Sequence, residues 1–421
     1  MHASETLANT MQEGLSCRLC GEPVRHTVVD LGCSPLCNNY LPEQKLSAPE
    51  LFYPLHLRVC RHCWLVQLPA LASPETIFSD YRYFSSYSTS WLAHCRAYVE
   101  DITAQLELGD DALVVELASN DGYLLQYFNQ RGIPCMGVEP AENVAQVAID
   151  KGIPTRTAFF GADFAQELRD SEGPADLVIA NNVLAHVPDV RDFVEGMRIL
   201  LSPEGTITVE VPHLLELIEG HQFDTVYHEH FSYFSLHVLQ HLFEAHQLTI
   251  HDVESLTTHG GSLRVHIKHA RVAPEVSDRV HEVLVREEEA GLRELSTYRR
   301  FAARVHQTKR ALLSFLIQCK NEGAEVVGYG APGKAATLLN FCGIREDLLS
   351  FTVDRSPHKQ GRYLPGVRLP IYAPEAIAEA QPAYVLILPW NLKEEIMAQM
   401  QHIRSWGGQF VVPIPEVQVD P

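Results

Sequence analysis

No run in this 421-residue chain stays apolar for the roughly 18 residues that a membrane-spanning helix needs. The opening stretch MHASETLANTMQEGLS has neither a basic start nor an apolar centre, so no secretory signal is expected and a cytoplasmic protein is. An excess of positive charge is also missing. Lys and Arg number 33 against 53 Asp and Glu, giving a net charge of −20. Phosphate backbones and anionic lipid surfaces are held mainly by Lys and Arg. That balance argues against a general nucleic-acid or membrane-surface role and confines any phosphate to a local site. Nor is there a bias toward a fibre or a disordered chain: hydrophobic residues make up 46%, charged residues 20%, and Gly and Pro number 25 each. The length suggests about two to three domains, each able to bury its own core.

Cysteine is what the chain does have. Ten in a chain with no export signal are not expected to form a disulfide framework, so metal-ligand spacing is the first test. CRLC and CRHC place Cys17 with Cys20 and Cys60 with Cys63. Each CxxC turn offers two thiolates to one tetrahedral Zn²⁺, and two turns close a structural site with no open position. The gap from Cys20 to Cys60 is 39 residues, longer than in common zinc ribbons, which keeps Cys33, Cys37, His26 and His62 as alternative ligands. Structural zinc would let a short segment, residues 1–72, fold around a small core. The aromatic stretch FSDYRYFSSYSTSW follows, with Tyr81, Tyr83, Phe84 and Tyr87. It reads as a packed linker or as the lip of a pocket, where tyrosines offer an apolar body and a hydroxyl.

Within a central domain expected over residues 73–272, residues 112–270 alternate short β-rich runs (ALVVEL, CMGVE, ADLVIAN, GTITVEV) with amphipathic helices, the pattern of a mostly parallel sheet covered on both faces. Ligands in such sheets bind beyond the carboxyl ends of the strands. The first crossover, VVELASNDGYLL, lacks GxGxxG and offers Glu116, Ser119, Asn120, Asp121 and Gly122 instead. That set suits an ammonium group and hydroxyls better than a pyrophosphate. The second strand ends in Glu139, where a carboxylate can accept from a ribose diol, and the fourth ends in NNVLAHVPD with Asn181, Asn182 and His186. Together these look like an S-adenosylmethionine site of the class I methyltransferase fold. The densest titratable cluster is DTVYHEHFSYFS, which supplies Tyr227, His228, Glu229, His230 and Tyr233: a base, a donor and an orienting acid. His228 and His230 alternate along an extended segment and would face opposite ways, which disfavours a shared metal.

The charged stretch from 275 to about 320 reads as one long helix or a helical pair, with Glu287, Glu288 and Glu289 as a solvated face. It falls within a last domain expected over residues 273–421, which restarts the α/β pattern at EVVGYG. GYGAPGK after the strand EVV spells GxGxxG at Gly328, Gly330 and Gly333, and Asp354 ends a strand 21 residues later. That is a dinucleotide fingerprint and raises an NAD-dependent oxidoreductase as a competitor. Ala335 stands where a P-loop needs Ser or Thr. A backbone cradle with Tyr329, Gly330 and Lys334 at a helix N-terminus would equally hold a nucleotide-sugar diphosphate.

In this order, CRLC with CRHC and LVQL, LGCSPLCNNYL, ASNDG, YHEHFSYFS, YGAPGKAATLLN and LPWN make the sequence resemble the three-domain bacterial sugar C-methyltransferases over nearly its whole length. The resemblance implies a small zinc-binding module, a central class I S-adenosylmethionine-dependent domain and a second Rossmann-like domain that binds a nucleotide sugar. It further implies C-methylation of a TDP-4-keto-deoxysugar at C-3, with Tyr227, Glu229, His230 and His186 around the reacting carbon. The chemistry expected is deprotonation beside the C-4 ketone by His230, donation to the enolate oxygen by Tyr227 or His186, and orientation by Glu229. A non-catalytic nucleotide-sugar-binding module would leave that cluster unused. Oligomeric state is left open, a monomer included.

Overall fold

The computed structural model describes residues 15–73 and 84–420. Strands β1 (His26–Ser34), β2 (Leu41–Pro42), β3 (Tyr53–Val59) and β4 (Val66–Gln67) come from the cysteine-rich segment. The central unit supplies β5 (Val114–Leu117), β6 (Cys135–Val138), β7 (Thr155–Arg156), β8 (Ala175–Asn181), β9 (Leu201–Pro212), β10 (Ser232–Tyr233), β11 (Leu248–Leu256) and β12 (Ser262–His269). The last unit supplies β13 (Val326–Tyr329), β14 (Thr352–Val353), β15 (Arg362–Tyr363), β16 (Pro370–Tyr372), β17 (Tyr384–Ile387), β18 (Gln409–Val412) and β19 (Gln418–Asp420).

The central sheet has the order β11-β12-β9-β8-β5-β6-β7. Only β12, inserted between β9 and β11, runs against the others. Its inner strands are buried along almost their whole length, as ADLVIAN and VVEL require when helices cover both faces. The chain runs from β5 outward to β7 and then returns to β8 on the other side of β5. The crevice beyond the carboxyl ends of β5 and β8 is therefore the topological switch point. The third sheet repeats the device: parallel β13 lies between β14 and β17, with the GAPG loop and the segment after β17 facing one another.

The sheets do not follow the order of the chain. β10, from YHEHFSYFS, pairs with β4 of the cysteine-rich sheet, and β2 of that segment pairs with β15 in the last sheet. Three segments are thus stitched together by main-chain hydrogen bonds.

The charged stretch is a helical pair, Asp278–Glu289 and Leu295–Glu322, broken where Gly291 takes φ +72°. One expectation is corrected here: Glu287 is not on a solvated face. It is buried, bonds the Nε2 of His213 at 2.7 Å, and accepts from the amides of Leu236 and His237 at 2.5 and 3.1 Å. It thereby caps the helix Leu236–Glu244, whose first amides would otherwise be unsatisfied.

Candidate active site

The first cluster is sulfur. The ligand atoms of Cys17, Cys20, Cys60 and Cys63 all lie within 4.8 Å of one another. Four thiols so arranged fit a tetrahedral Zn²⁺. The left-handed Gly21 (φ +79°) closes the first knuckle, and Gln67 donates to the Cys17 sulfur at 3.2 Å, the outer-shell support such sites use. The alternative ligands are placed elsewhere. Cys33 is exposed on β1, and Cys37 donates to the Glu229 carboxylate at 3.4 Å.

The second cluster surrounds the switch point of the central sheet. Left-handed φ values at Ala118 (+55°), Asn120 (+49°) and Gly122 (+75°) turn the chain sharply after β5, and Asn182 (+55°) does the same after β8. Non-glycine residues in this region store strain and gather at ligand sites. Gly137 on β6 lets the turn come close, since a Cβ there would stand 2.1 Å from the Ser119 hydroxyl. Glu139 accepts from the amides of Asn120 and Ala141, both at 2.9 Å, and burial pushes its carboxyl up to about 7. Buried polar atoms of Ser119 (Oγ), Asp121 (Oδ1) and Asn181 (Oδ1) have no hydrogen-bond partner among the described residues. Such atoms need a partner, and here they sit on the turn after β5 and at the end of β8, near Glu139 and the deeply buried Glu116. Hydroxyl, carboxylate and amide groups so grouped fit the amino and ribose groups of S-adenosylmethionine.

The third cluster is imidazole and phenol. His186 follows β8 in the short helix Leu184–His186, and the Phe231 amide donates to the Ala185 carbonyl at 2.7 Å, bringing YHEHFSYFS onto that loop. The rings of His186 and His230 are 4.7 Å apart, and those of Tyr227 and His230 are 4.1 Å apart. The Nδ1 of His230 lies 3.0 Å from the Thr225 carbonyl. A carbonyl only accepts, so Nδ1 carries the proton and Nε2 the lone pair. Burial drives the His230 imidazole well below its usual range, with His186 adding to the effect, and burial takes His186 down to about 4. Both rings are neutral near pH 7. His228 points the other way, its Nε2 3.3 Å from the Tyr53 and Pro54 carbonyls on β3. Glu229 faces the cysteine-rich segment: Asn38 Nδ2 donates to both of its oxygens at 2.8 and 3.0 Å. Burial pushes the Glu229 carboxyl up to about 7 against those bonds.

From the last unit, Lys334 reaches this space. Its Nζ donates to Asn391 Oδ1 at 2.7 Å and lies 4.4 Å from the Trp390 ring centre, and burial lowers it to about 8. Trp390 donates to the buried Asp224 at 2.8 Å, just ahead of Tyr227. The remaining cradle groups are engaged within the chain. Asp354 accepts from the amides of Ala331 and Ser356 at 2.8 and 2.9 Å, Tyr40 donates to the Ala331 carbonyl at 2.6 Å, and Tyr329 donates to Gln399 at 3.3 Å. Gly330 packs on Pro389, and Gly333 faces Cys37 and Tyr227. Tyr81 and Tyr83 lie outside the described residues.

Sequence reasoning missed His259, Asn38 and the Trp390–Asn391 pair. His259 has a left-handed φ of +55°, its ring lies 5.3 Å from Trp91, and burial with nearby Lys334 takes it down to about 4. LGCSPLCNNYL and LPWN were distinctive as strings, but no local pattern ties them to residues so far along the chain.

Fold and site together define an S-adenosylmethionine-dependent methyltransferase carrying a zinc module. Family sequence models match three consecutive parts of the chain: "Putative zinc binding domain" over 17–78, "Methyltransferase domain" over 91–253 and "C-methyltransferase C-terminal domain" over 257–415. The C-methyltransferase NovU of Streptomyces niveus is 40% identical over 403 residues, 96% of each chain. The chain belongs to the C-methyltransferase family, and it is an S-adenosylmethionine-dependent C-methyltransferase. Among solved structures, an S-adenosylmethionine-dependent methyltransferase from Anabaena variabilis covers 48% of this chain and 99% of its own (16% identity, TM-score 0.34). A 1,6-didemethyltoxoflavin-N1-methyltransferase from Burkholderia thailandensis covers 49% and 94% (19% identity, TM-score 0.36). No described helix is long and apolar enough to cross a membrane.

Proposed function

We propose that the enzyme methylates a carbon of a nucleotide-linked 4-keto-deoxysugar, with TDP as nucleotide and C-3 as the methylated position. The observation that carries this reading is His230, a half-buried neutral imidazole whose Nδ1–H is fixed on Thr225 and whose ring stands among Tyr227 and His186. A sugar carbon becomes nucleophilic only when it loses a proton, and a neighbouring carbonyl takes up the charge as an enolate. Nε2 of His230 accepts that proton. The C–H electron pair moves into the new C=C bond, and the carbonyl pair moves onto oxygen, where Tyr227 or His186 donates a hydrogen bond. S-adenosylmethionine, when bound, supplies an electrophilic methyl group on a positively charged sulfur. The enolate carbon would take that methyl, its electron pair forming the new C–C bond while the S–CH₃ pair returns to sulfur, which would leave as the neutral thioether of S-adenosylhomocysteine, and the carbonyl would be restored. Lys334 offers the local positive charge that an anionic diphosphate or a developing oxyanion requires in a chain of net charge −20.

The test is to incubate the purified enzyme with S-adenosylmethionine and a panel of nucleotide 4-ketosugars. A gain of one CH₂ in mass on a TDP-4-ketosugar, placed at C-3 by NMR, is expected. No transfer to any 4-ketosugar in the panel would overturn the substrate reading.

A further inference from the structure

The carboxylate of Glu229 is held from outside its own unit. Asn38 Nδ2 donates to both oxygens, and Cys37 Sγ adds a third bond at 3.4 Å. Asn38 is itself anchored. The Tyr40 hydroxyl lies 3.3 Å from Asn38 Oδ1 and donates to the Ala331 carbonyl in the last unit. Behind this segment, β2 is paired to β15, and the knuckle-bearing sheet is paired to β10, three residues after Glu229. A side-chain N–H shared between both oxygens of a carboxylate favours the ionised, acceptor-only form and fixes its plane. The segment Cys37–Tyr40 therefore forms a wall of the site that the central unit lacks on its own.

We propose that Asn38 is a positioning residue for the methyl-transfer reaction, acting through Glu229, so that the zinc-bearing segment completes the acid/base cluster. The inference rests on the reading that Glu229 serves that cluster. The groups that face Glu229 are the Cys37 thiol and the Tyr40 phenol from the same wall, and His186, whose ring bonds the Glu229 backbone. Tyr227, His228 and His230 flank it in the chain. Cys37 and Tyr40 are both raised well above their usual range by burial, so they stay neutral near pH 7, and Asn38 is the strongest stabiliser of the Glu229 anion.

The test uses Asn38→Asp, which keeps the shape but replaces a donor by an acceptor, and Asn38→Ala as the second variant. Both are compared with Glu229→Gln and the double variant Asn38→Ala/Glu229→Gln on the full chain, with zinc content and circular dichroism as checks of folding. In the wild-type background either change at Asn38 should lower kcat by about tenfold to a hundredfold, as expected for a lost hydrogen bond to a charged group. The acidic limb of the pH profile should move to higher pH, since an acid deprived of its donors ionises later. In the Glu229→Gln background, Asn38→Ala should cost little more, because a positioning residue has nothing left to position. If Glu229→Gln retains wild-type kcat, the reading of Glu229 is wrong. If Glu229→Gln is impaired while both Asn38 variants keep wild-type kcat and pH profile, the inference about Asn38 is wrong and that of Glu229 stands. Equal losses from Asn38→Ala in both backgrounds would likewise overturn it.

Discussion

Replacing His230 by Asn isolates the proton-transfer role from the structural one. The Asn Nδ2 lies as many bonds from Cα as the imidazole Nδ1, so the bond to the Thr225 carbonyl, 3.0 Å in the native protein, can be kept while the basic Nε2 is removed. Loss of a general base costs about 10²–10⁴ in rate, or about 3–5 kcal/mol at about 1.4 kcal/mol per tenfold. The structure narrows this range. The His186 ring is 4.7 Å away and also neutral, so it can take up part of the role. A drop of about 10³ in kcat is expected for His230→Asn, with a further drop when His186→Asn is added. Binding of S-adenosylhomocysteine should be unchanged, because the ring contributes no group to the crevice at β5 and β8. Two assays separate the steps: methyl transfer read by mass, and exchange of the sugar α-proton in D₂O with S-adenosylhomocysteine in place of the methyl donor. The variant should fail in both. Near wild-type turnover would refute the assignment of His230, and lost transfer with undiminished exchange would place its role after deprotonation.

Four further outcomes are expected. Metal analysis should find about one Zn²⁺ per chain, and stripping it or making Cys60→Ser should abolish methylation, because the sheet that pairs with β10 is tied to the four sulfurs. S-adenosylhomocysteine should raise the melting temperature and NAD(H) should not, since Asp354 is already engaged by Ala331 and Ser356. The Glu139 carboxyl, raised to about 7, is an anionic acceptor above that pH and protonated below it, so isothermal titration should show S-adenosylhomocysteine affinity falling as pH drops through about 7 and becoming flat in Glu139→Gln. Trp390→Phe should keep the ring against Lys334 but remove the indole donor from the buried Asp224, lowering stability in urea by about 1–3 kcal/mol.

What could be read from sequence was what is local. Each CxxC knuckle is closed within four residues, and the gap between knuckles did not prevent the four sulfurs from meeting. The turn after β5 announced itself by Asn120 and Gly122, residue types that tolerate the left-handed region. His186 and His230 were legible as residue types suited to acid/base chemistry, but their meeting depends on the Phe231 amide bonding the Ala185 carbonyl, a contact no local pattern announces. Asn38 was not legible, because its bond to Glu229 spans 191 positions and an Asn in a loop usually caps a turn. Glu287 was misread because a run of three glutamates looks solvated, while only tertiary packing reveals that one of them points at a helix N-terminus. Lys334 was read at the mouth of a phosphate cradle, and the side chain leaves that loop for Asn391 because Trp390 gives it a face to lie on.

The pairing of β4 with β10 and of β2 with β15 also sets an order of events during synthesis. The zinc-bearing segment leaves the ribosome first, yet the strands that cover its edges are made only after residues 232 and 362 have been added. Until then the outer edge of β4 offers unpaired amides and carbonyls to any passing strand, and zinc is a staple the segment can acquire unaided. A nascent chain short of metal would present that open edge longest, so zinc supply at translation, more than in the finished enzyme, should govern how much of this protein escapes aggregation.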